Sequence, residues 1–276
     1  LDSKTPVAGI SSRPGLVAET AEKGNDIMWA QKQLTRPQRE FVKVILLAGL
    51  VLLFFSILFR NRWPGEGELL PALFQEPVQG SSNLPGPFDV AQKGFTYTVY
   101  PQFDYELWGL VVSSHYAGSF LDYAHEMWKD YLNIKDLCVI WGKNLKTGAF
   151  RRIKFWSRDF TCYYSWPDAE TGREFSPSHI SNNHLITEDP LLRKLIKSVK
   201  RGDQVHFKGW LTKYGHKGSQ VVRGTSTTRK DTGGEACETV YVTEFEVLKR
   251  ANPGWRSAFP VSLTLIAASV ALLFLF

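Results

Sequence analysis

Residues 41–59 read FVKVILLAGLVLLFFSILF, an apolar run with one charge, Lys43, a turn from its start. At about 1.5 Å per residue such a helix spans roughly 28 Å, close to the hydrocarbon thickness of a bilayer. Apolar residues cover its whole circumference, which a helix on the surface of a soluble protein does not do. Lys43 can snorkel at one end, and Arg60 and Trp63 bracket the other. Thr35-Arg36-Pro37-Gln38 predicts the helix start, with Thr as cap, Pro in the first turn and Gln placed to reach back.

A second run, residues 258–276, reads AFPVSLTLIAASVALLFLF and carries no charge, with Trp255 and Arg256 just before it as interface anchors. Two spans put both ends of the chain on one side of a membrane and the intervening residues on the other. The flanking charges do not choose the side. Lys32, Arg36, Arg39 and Lys43 stand against Arg60, Arg62, Lys249, Arg250 and Arg256. The first span alone favours a cytoplasmic N-terminus. Residues 1–30 lack the apolar stretch of a secretory signal, although the chain begins at Leu1 and a leader could precede it. The expected location is therefore a cytoplasmic membrane, with the central domain on its outer, periplasmic side.

The chain divides into a polar tail (1–36), the first span (37–60), a Pro/Gly-rich linker (61–94), a strand-rich domain (95–250), a short return linker (251–257) and the second span (258–276). The linker, with RWPGEGELLPALF and EPVQGSSNLPGPFDV, is expected to be extended. Within the domain, FTYTVYP, YELWGLVVSS, DLCVIWG, FRRIKFW, FTCYYSW, DQVHFKGWLTKY and ETVYVTEFEVL are rich in β-branched and aromatic residues. Val205, Phe207, Gly209 and Leu211 alternate with His206, Lys208 and Trp210, so one face should be buried. Helices are expected over 121–131 and over 188–201, the latter capped by Thr187 and presenting Leu191, Leu192, Leu195, Ile196 and Val199. A helix interrupting five to seven short strands suggests an α+β domain built on a small OB-like barrel.

The ordered strings WGLVVS (108–113), DLCVIWG (136–142), FTCYY (160–164), ISNNHLI (180–186), GDQVHFKGWLTKY (202–214) and GTSTTRKDTGGEACETVYV (224–242) resemble a family of uncharacterised membrane-anchored bacterial proteins. The resemblance implies a bacterial source and one discrete domain between residues 97 and 248. It implies no catalytic activity.

Chemistry-bearing residues are sparse in pattern. Cys138, Cys162 and Cys237 allow one disulfide, for which Cys162–Cys237 is the expected pair, tying the polar loop to the sheet. Three buried free thiols are the alternative. The histidines His115, His125, His179, His184, His206 and His216 show no metal-ligand spacing. His125-Glu126 lacks the second His of HExxH, and His179 and His184 fall in a loop-like stretch. Neither a metal nor another cofactor is expected. Ser226 lacks a G-x-S-x-G setting and no phosphate-binding loop precedes a helix, so catalysis is not expected either.

Lys plus Arg number 33 against 27 Asp plus Glu over the chain, and 22 against 18 between residues 95 and 250. That balance is too even for a nucleic-acid footprint. Trp141, Trp156, Tyr163, Tyr164 and Trp166, with Arg229 and Asp231, instead read as a contact surface for protein partners. Neither span contains Asp, Glu or His, which removes the groups that transport or a proton relay would use. The expected function is a non-catalytic accessory or scaffold subunit of a larger membrane assembly, respiratory or photosynthetic by class. The alternative is an anchored enzyme or ligand-binding domain using residues 224–238.

Overall fold

The computed structural model describes residues 33–275, save 83, 120–121, 220–221, 229–230 and 232–236. Two apolar helices, α1 (Arg36–Phe59) and α6 (Pro253–Leu275), are each long and apolar enough to cross a membrane. The Thr35 N–H donates to Gln38 Oε1 at 2.8 Å, the capping contact the sequence predicts. The second helix begins at Pro253 rather than 258, so most of the expected return linker is helical. Proline suits that first position because its missing N–H would have no intrahelical acceptor.

The helices pack side by side and antiparallel. Buried positions on α1 are Val42, Gly49 and Ser56, and on α6 Ser262 and Ser269, each seven residues apart. Seven residues are close to two helical turns, so these positions form one stripe per helix. Gly49 faces Ile266, whose Cγ1 would lie 3.1 Å from a Cβ added there. The Ser56 hydroxyl donates to the Trp255 carbonyl at 2.9 Å, and Trp255 stacks on Phe59.

Among the described residues, nine strands lie between the helices: β1 (Val78–Gly80), β2 (Phe88–Gln92), β3 (Phe95–His115), β4 (Asn133–Ile140), β5 (Lys154–Arg158), β6 (Thr161–Ser165), β7 (Ile180–Ile186), β8 (Gln204–His216) and β9 (Cys237–Lys249). Short helices α2 (Tyr123–Met127), α3 (Lys143–Lys146) and α4 (Ala169–Glu174) and the longer α5 (Pro190–Ser198) connect them. β3 joins two strands that the sequence separates. It continues through a bulge at Pro101–Phe103, pairing with β8 along its first part and β4 along its last. β4 pairs with β7, β7 runs parallel to β9, and β9 pairs with β8. These five strands therefore form a closed circuit of pairings, while β1 and β2 add to β3, and β5–β6 is a separate hairpin. The alternation expected in β8 holds, with Val205, Phe207 and Leu211 buried. Gly209 lies where β9 crosses closest: a Cβ there would sit 1.9 Å from the Tyr241 carbonyl oxygen.

Several boundaries differ from expectation. Residues 61–94 are not an extended linker, because Leu73 is fully buried and Trp63, Leu69, Leu70 and Phe74 pack with Leu110, Ile140, Phe150 and Phe155 in a second core. Gln204 clamps this segment, accepting from the Leu70 N–H and donating to the Glu68 carbonyl, both at 2.8 Å. α5 is shorter than 188–201. Its cap is Asp189, not Thr187, because the Asp189 carboxylate accepts from the Leu191 and Leu192 amides. Val199 is already extended, and Leu191 is exposed. The helix expected over 121–131 shrinks to α2, capped by Asp122. ISNNHLI, expected to be loop-like, is the buried strand β7. Its Ser and Asn side chains find partners there, as when Asn183 Nδ2 donates to Ser181 Oγ and the Leu137 carbonyl.

The disulfide also differs. Cys138 on β4 bonds Cys162 on β6, with Cα atoms 5.8 Å apart, and Cys237 is free. Cys138 and Cys237 both stand opposite Asn182, one on each side of β7, so Cys162 can reach one of them and not both. They are thus two strand spacings apart, while the β5–β6 hairpin lies directly over Cys138. The Cys237 thiol, raised in pKa by burial, lies 3.7 Å from Asn182 Nδ2 and 3.8 Å from the Phe160 carbonyl.

The helix pair is fastened to the domain. The Arg256 guanidinium donates to Asp203 at 2.5 Å and to the Arg201 carbonyl at 2.6 Å, and Asp203 also accepts from the Ala251 N–H. Gly202, at φ +86°, makes the turn that brings Asp203 there.

Candidate functional site

A chain of buried polar side chains runs from the end of β3 to the far end of β8. Thirteen residues of β8, at about 3.3 Å each, separate this end from the helix pair. His115 Nε2 and His125 Nδ1 both approach one oxygen of Asp122, at 2.6 and 2.5 Å. Asn133 Nδ2 spans His125 Nε2 at 3.0 Å and Asp136 at 2.8 Å. Asp136 in turn meets His184 Nδ1 at 2.7 Å. Arg223 lies 3.3 Å from His184 Nε2 and donates to Asp130 at 2.9 Å, and the Tyr214 hydroxyl donates to the other Asp130 oxygen. The ionised Asp136 carboxylate only accepts, so the proton in its contact with His184 lies on Nδ1.

The electrostatics follow from this wiring. Burial alone would raise the Asp136 carboxyl, but His184, Arg223 and Asn133 outweigh it and hold it at about 2. Burial lowers the His125 imidazole pKa, against the pull of Asp136, Asp130 and Asp122. Asp122 is likewise resisted by burial but held low by the His125 N–H and by His115. Asp130 and Asp136 thus share the Arg223 guanidinium, while buried Asp122 faces His115 and His125.

Phe160 closes the network from outside. It sits at the β5–β6 turn with φ +59°, a conformation uncommon for a bulky side chain. Its ring is 4.0 Å from the Arg223 guanidinium, 4.1 Å from the His125 ring, and stacked on Trp128 at 5.0 Å. Cavities open on both sides of it. One of about 510 Å³ is lined by His184, Arg223, Thr225, Ser226 and Cys237, and one of about 340 Å³ by Tyr97, Trp128, Tyr214 and Val222. The first offers hydroxyls and a guanidinium, the second aromatic rings, so the end of the domain combines polar and apolar recognition.

The residues expected to form a contact surface are distributed differently. Trp141 is buried, its Nε1 donating to Glu76 at 3.0 Å. Tyr164 packs on Phe155 and Phe175. Trp156 and Tyr163 stack on the β5–β6 hairpin, and Tyr163 and Trp166 are exposed. Asp231 accepts from the Ser226 and Thr228 hydroxyls. Arg229 lies outside the described residues. Among the expected anchors, Lys43 pairs with Glu40 and Arg60 lies over the Phe259 ring. Trp63, Trp255 and Arg256 are used internally: Trp63 lies under Arg201 against Phe150, Trp255 lies in the helix seam, and Arg256 holds Asp203. Sequence reading missed Asp122, Asp130, Asn133, Asp136, Tyr214 and Arg223 because pairings distant in the chain bring them together. A density of Asp and His between residues 115 and 136 was the available signal.

The chain matches no family model, and no curated protein or solved structure matches it. The resemblance to membrane-anchored bacterial proteins rests on the quoted strings alone.

Proposed function

We propose that this chain is a two-span membrane protein serving as a non-catalytic accessory subunit that holds its domain at the bilayer surface for a protein partner. The observation that carries this reading is the rigid mounting. Residues 63–74 pack into the domain, and Asp203 ties the strand-end turn to Arg256 on α6. A domain fixed at both ends presents one surface in one pose, as a docking platform requires and a flexible tether does not provide. The β3–β4–β7–β9–β8 circuit, with α5 between the third and fourth of its strands in chain order, supports the OB-like reading. The Cys138–Cys162 disulfide supports a periplasmic rather than cytoplasmic domain.

The partner surface in this reading is the aromatic groove beside Phe160, where Trp128 and Val222 are exposed. Native mass measurement in mild detergent tests it. The wild-type chain is expected in a larger defined assembly that Val222→Glu and Trp128→Glu release as folded monomer. A wild-type monomer in native membranes would overturn the reading. The cavity beside His184 and Arg223 favours a second reading, a ligand-binding domain, and a monomer that binds a small anion there would establish it instead.

A further inference from the structure

We propose that His115, Asp122 and His125 form a binding site for one divalent transition-metal ion of the zinc type, with Asp159 placed to complete it. The inference is independent of the partner reading, since it rests on side chains behind Phe160. Two imidazoles and a carboxylate are the ligand set such ions prefer. His115 Nε2, Asp122 Oδ2 and His125 Nδ1 all lie within 4.8 Å of one another. Tetrahedral bonds of about 2.0–2.1 Å place ligand atoms roughly 3.3 Å apart, so no pair need change its separation by more than about 1.5 Å to admit the ion.

A second observation points the same way. His125 is buried, and its Nδ1, although 2.5 Å from Asp122 Oδ2, makes no hydrogen bond. A nitrogen aimed at a carboxylate oxygen outside hydrogen-bonding geometry is suited to sharing a cation with it. The surrounding groups supply the rest of a metal centre. Asp122 is oriented by its other oxygen, which accepts from the His125 N–H at 3.0 Å. With the ion on Nδ1 the ring proton moves to Nε2, where Asp130 Oδ2 lies 4.0 Å away and the Asn133 amide, which now presents Nδ2 at 3.0 Å, must turn to present its unpartnered Oδ1. Either is a second-shell acceptor that fixes the ring. Asp159, on the β5–β6 turn, brings Oδ1 to 3.5 Å from His115 Nε2. The excess of carboxylate over guanidinium favours a cation here. A cavity of about 190 Å³ lined by Tyr116, Asp122, His125 and Asn133 gives the ion a route from solvent.

The test uses the full chain in detergent, stripped by a chelator and titrated with Zn²⁺ against a chromophoric competitor, then with Co²⁺ followed in the visible. One equivalent of Zn²⁺ and tetrahedral Co²⁺ bands are expected. Asp122→Asn keeps the capping oxygen but loses the anion, and His115→Gln is near the surface. Each should weaken Zn²⁺ binding by about a hundredfold or more, and Asp159→Asn by about tenfold. The metal-free melting temperature of each variant reports whether it has folded. His206→Gln, in a His–Glu pair on β8, should bind as wild type. Absence of stoichiometric binding in the wild type overturns the proposal. So does Zn²⁺ affinity unchanged in folded Asp122→Asn and His115→Gln, which would place the ion elsewhere.

Discussion

The seam between α1 and α6 and the polar chain behind Phe160 are both buried contacts between distant parts of the sequence, made by opposite means. The seam works by removing side chains: glycine and serine at seven-residue spacing let two apolar helices approach, and dispersion does the rest. The polar chain keeps its charges and assigns each an oriented partner, as Asp130 does for Arg223 and Tyr214. A seam of many weak contacts should degrade by degrees. A chain of paired charges should fail abruptly, because the loss of one member leaves another buried and uncompensated.

Arg223 is where that contrast is sharpest. Arg223→Met should lower domain stability by about 3–5 kcal/mol, because Asp130 and Asp136 lose the guanidinium that faces them. Chemical denaturation at neutral pH checks it, and a loss under about 1 kcal/mol would show that the histidines carry the compensating charge instead. Lys135 is a contrasting buried cation. Its ammonium donates to the carbonyls of Val199 at 2.5 Å and Lys197 at 3.3 Å, with no carboxylate among the described residues in hydrogen-bond contact. Burial lowers its pKa to about 8 from 10.5. Between those values the unfolded chain holds the proton and the folded chain has released it, so stability rises with pH across that window. The full swing is of the order of 3 kcal/mol. Lys135→Met should flatten the rise, as read from unfolding curves at pH 7, 9 and 10.5.

How much of this was legible in the sequence depended on how local the cause was. The apolar runs, the Thr35–Gln38 cap and the alternation of β8 are written within a few residues and were readable. ISNNHLI was not, because its strand character comes from being flanked by β4 and β9. The disulfide partner depended on which hairpin lies over Cys138, a matter of tertiary placement. Trp63 and Arg256 have the composition of interface anchors, yet Arg201 and Asp203, reached only on folding, draw them inward. The site was the least legible part. Single Asp and His residues carry no spacing signal until β4, β7 and the 115–133 segment converge.

The seam offers the finer test, and its two strongest positions should separate. Gly49→Leu must insert a side chain where Ile266 and Leu265 already lie within 3.4 Å of a Cβ, so overpacking should cost about 1–3 kcal/mol in detergent. Ser56→Ala removes one hydroxyl donated to the Trp255 carbonyl and leaves the packing volume nearly unchanged. Hydrogen bonds between helices in lipid average about 0.6 kcal/mol, so this variant should move the melting temperature only slightly. Measured in one detergent, the two should differ severalfold. Equal losses would mean that the hydrogen bond at the domain end, where Trp255 also stacks on Phe59, matters as much as close approach at the middle. The seam would then resemble the polar chain, held by one directed contact near its end.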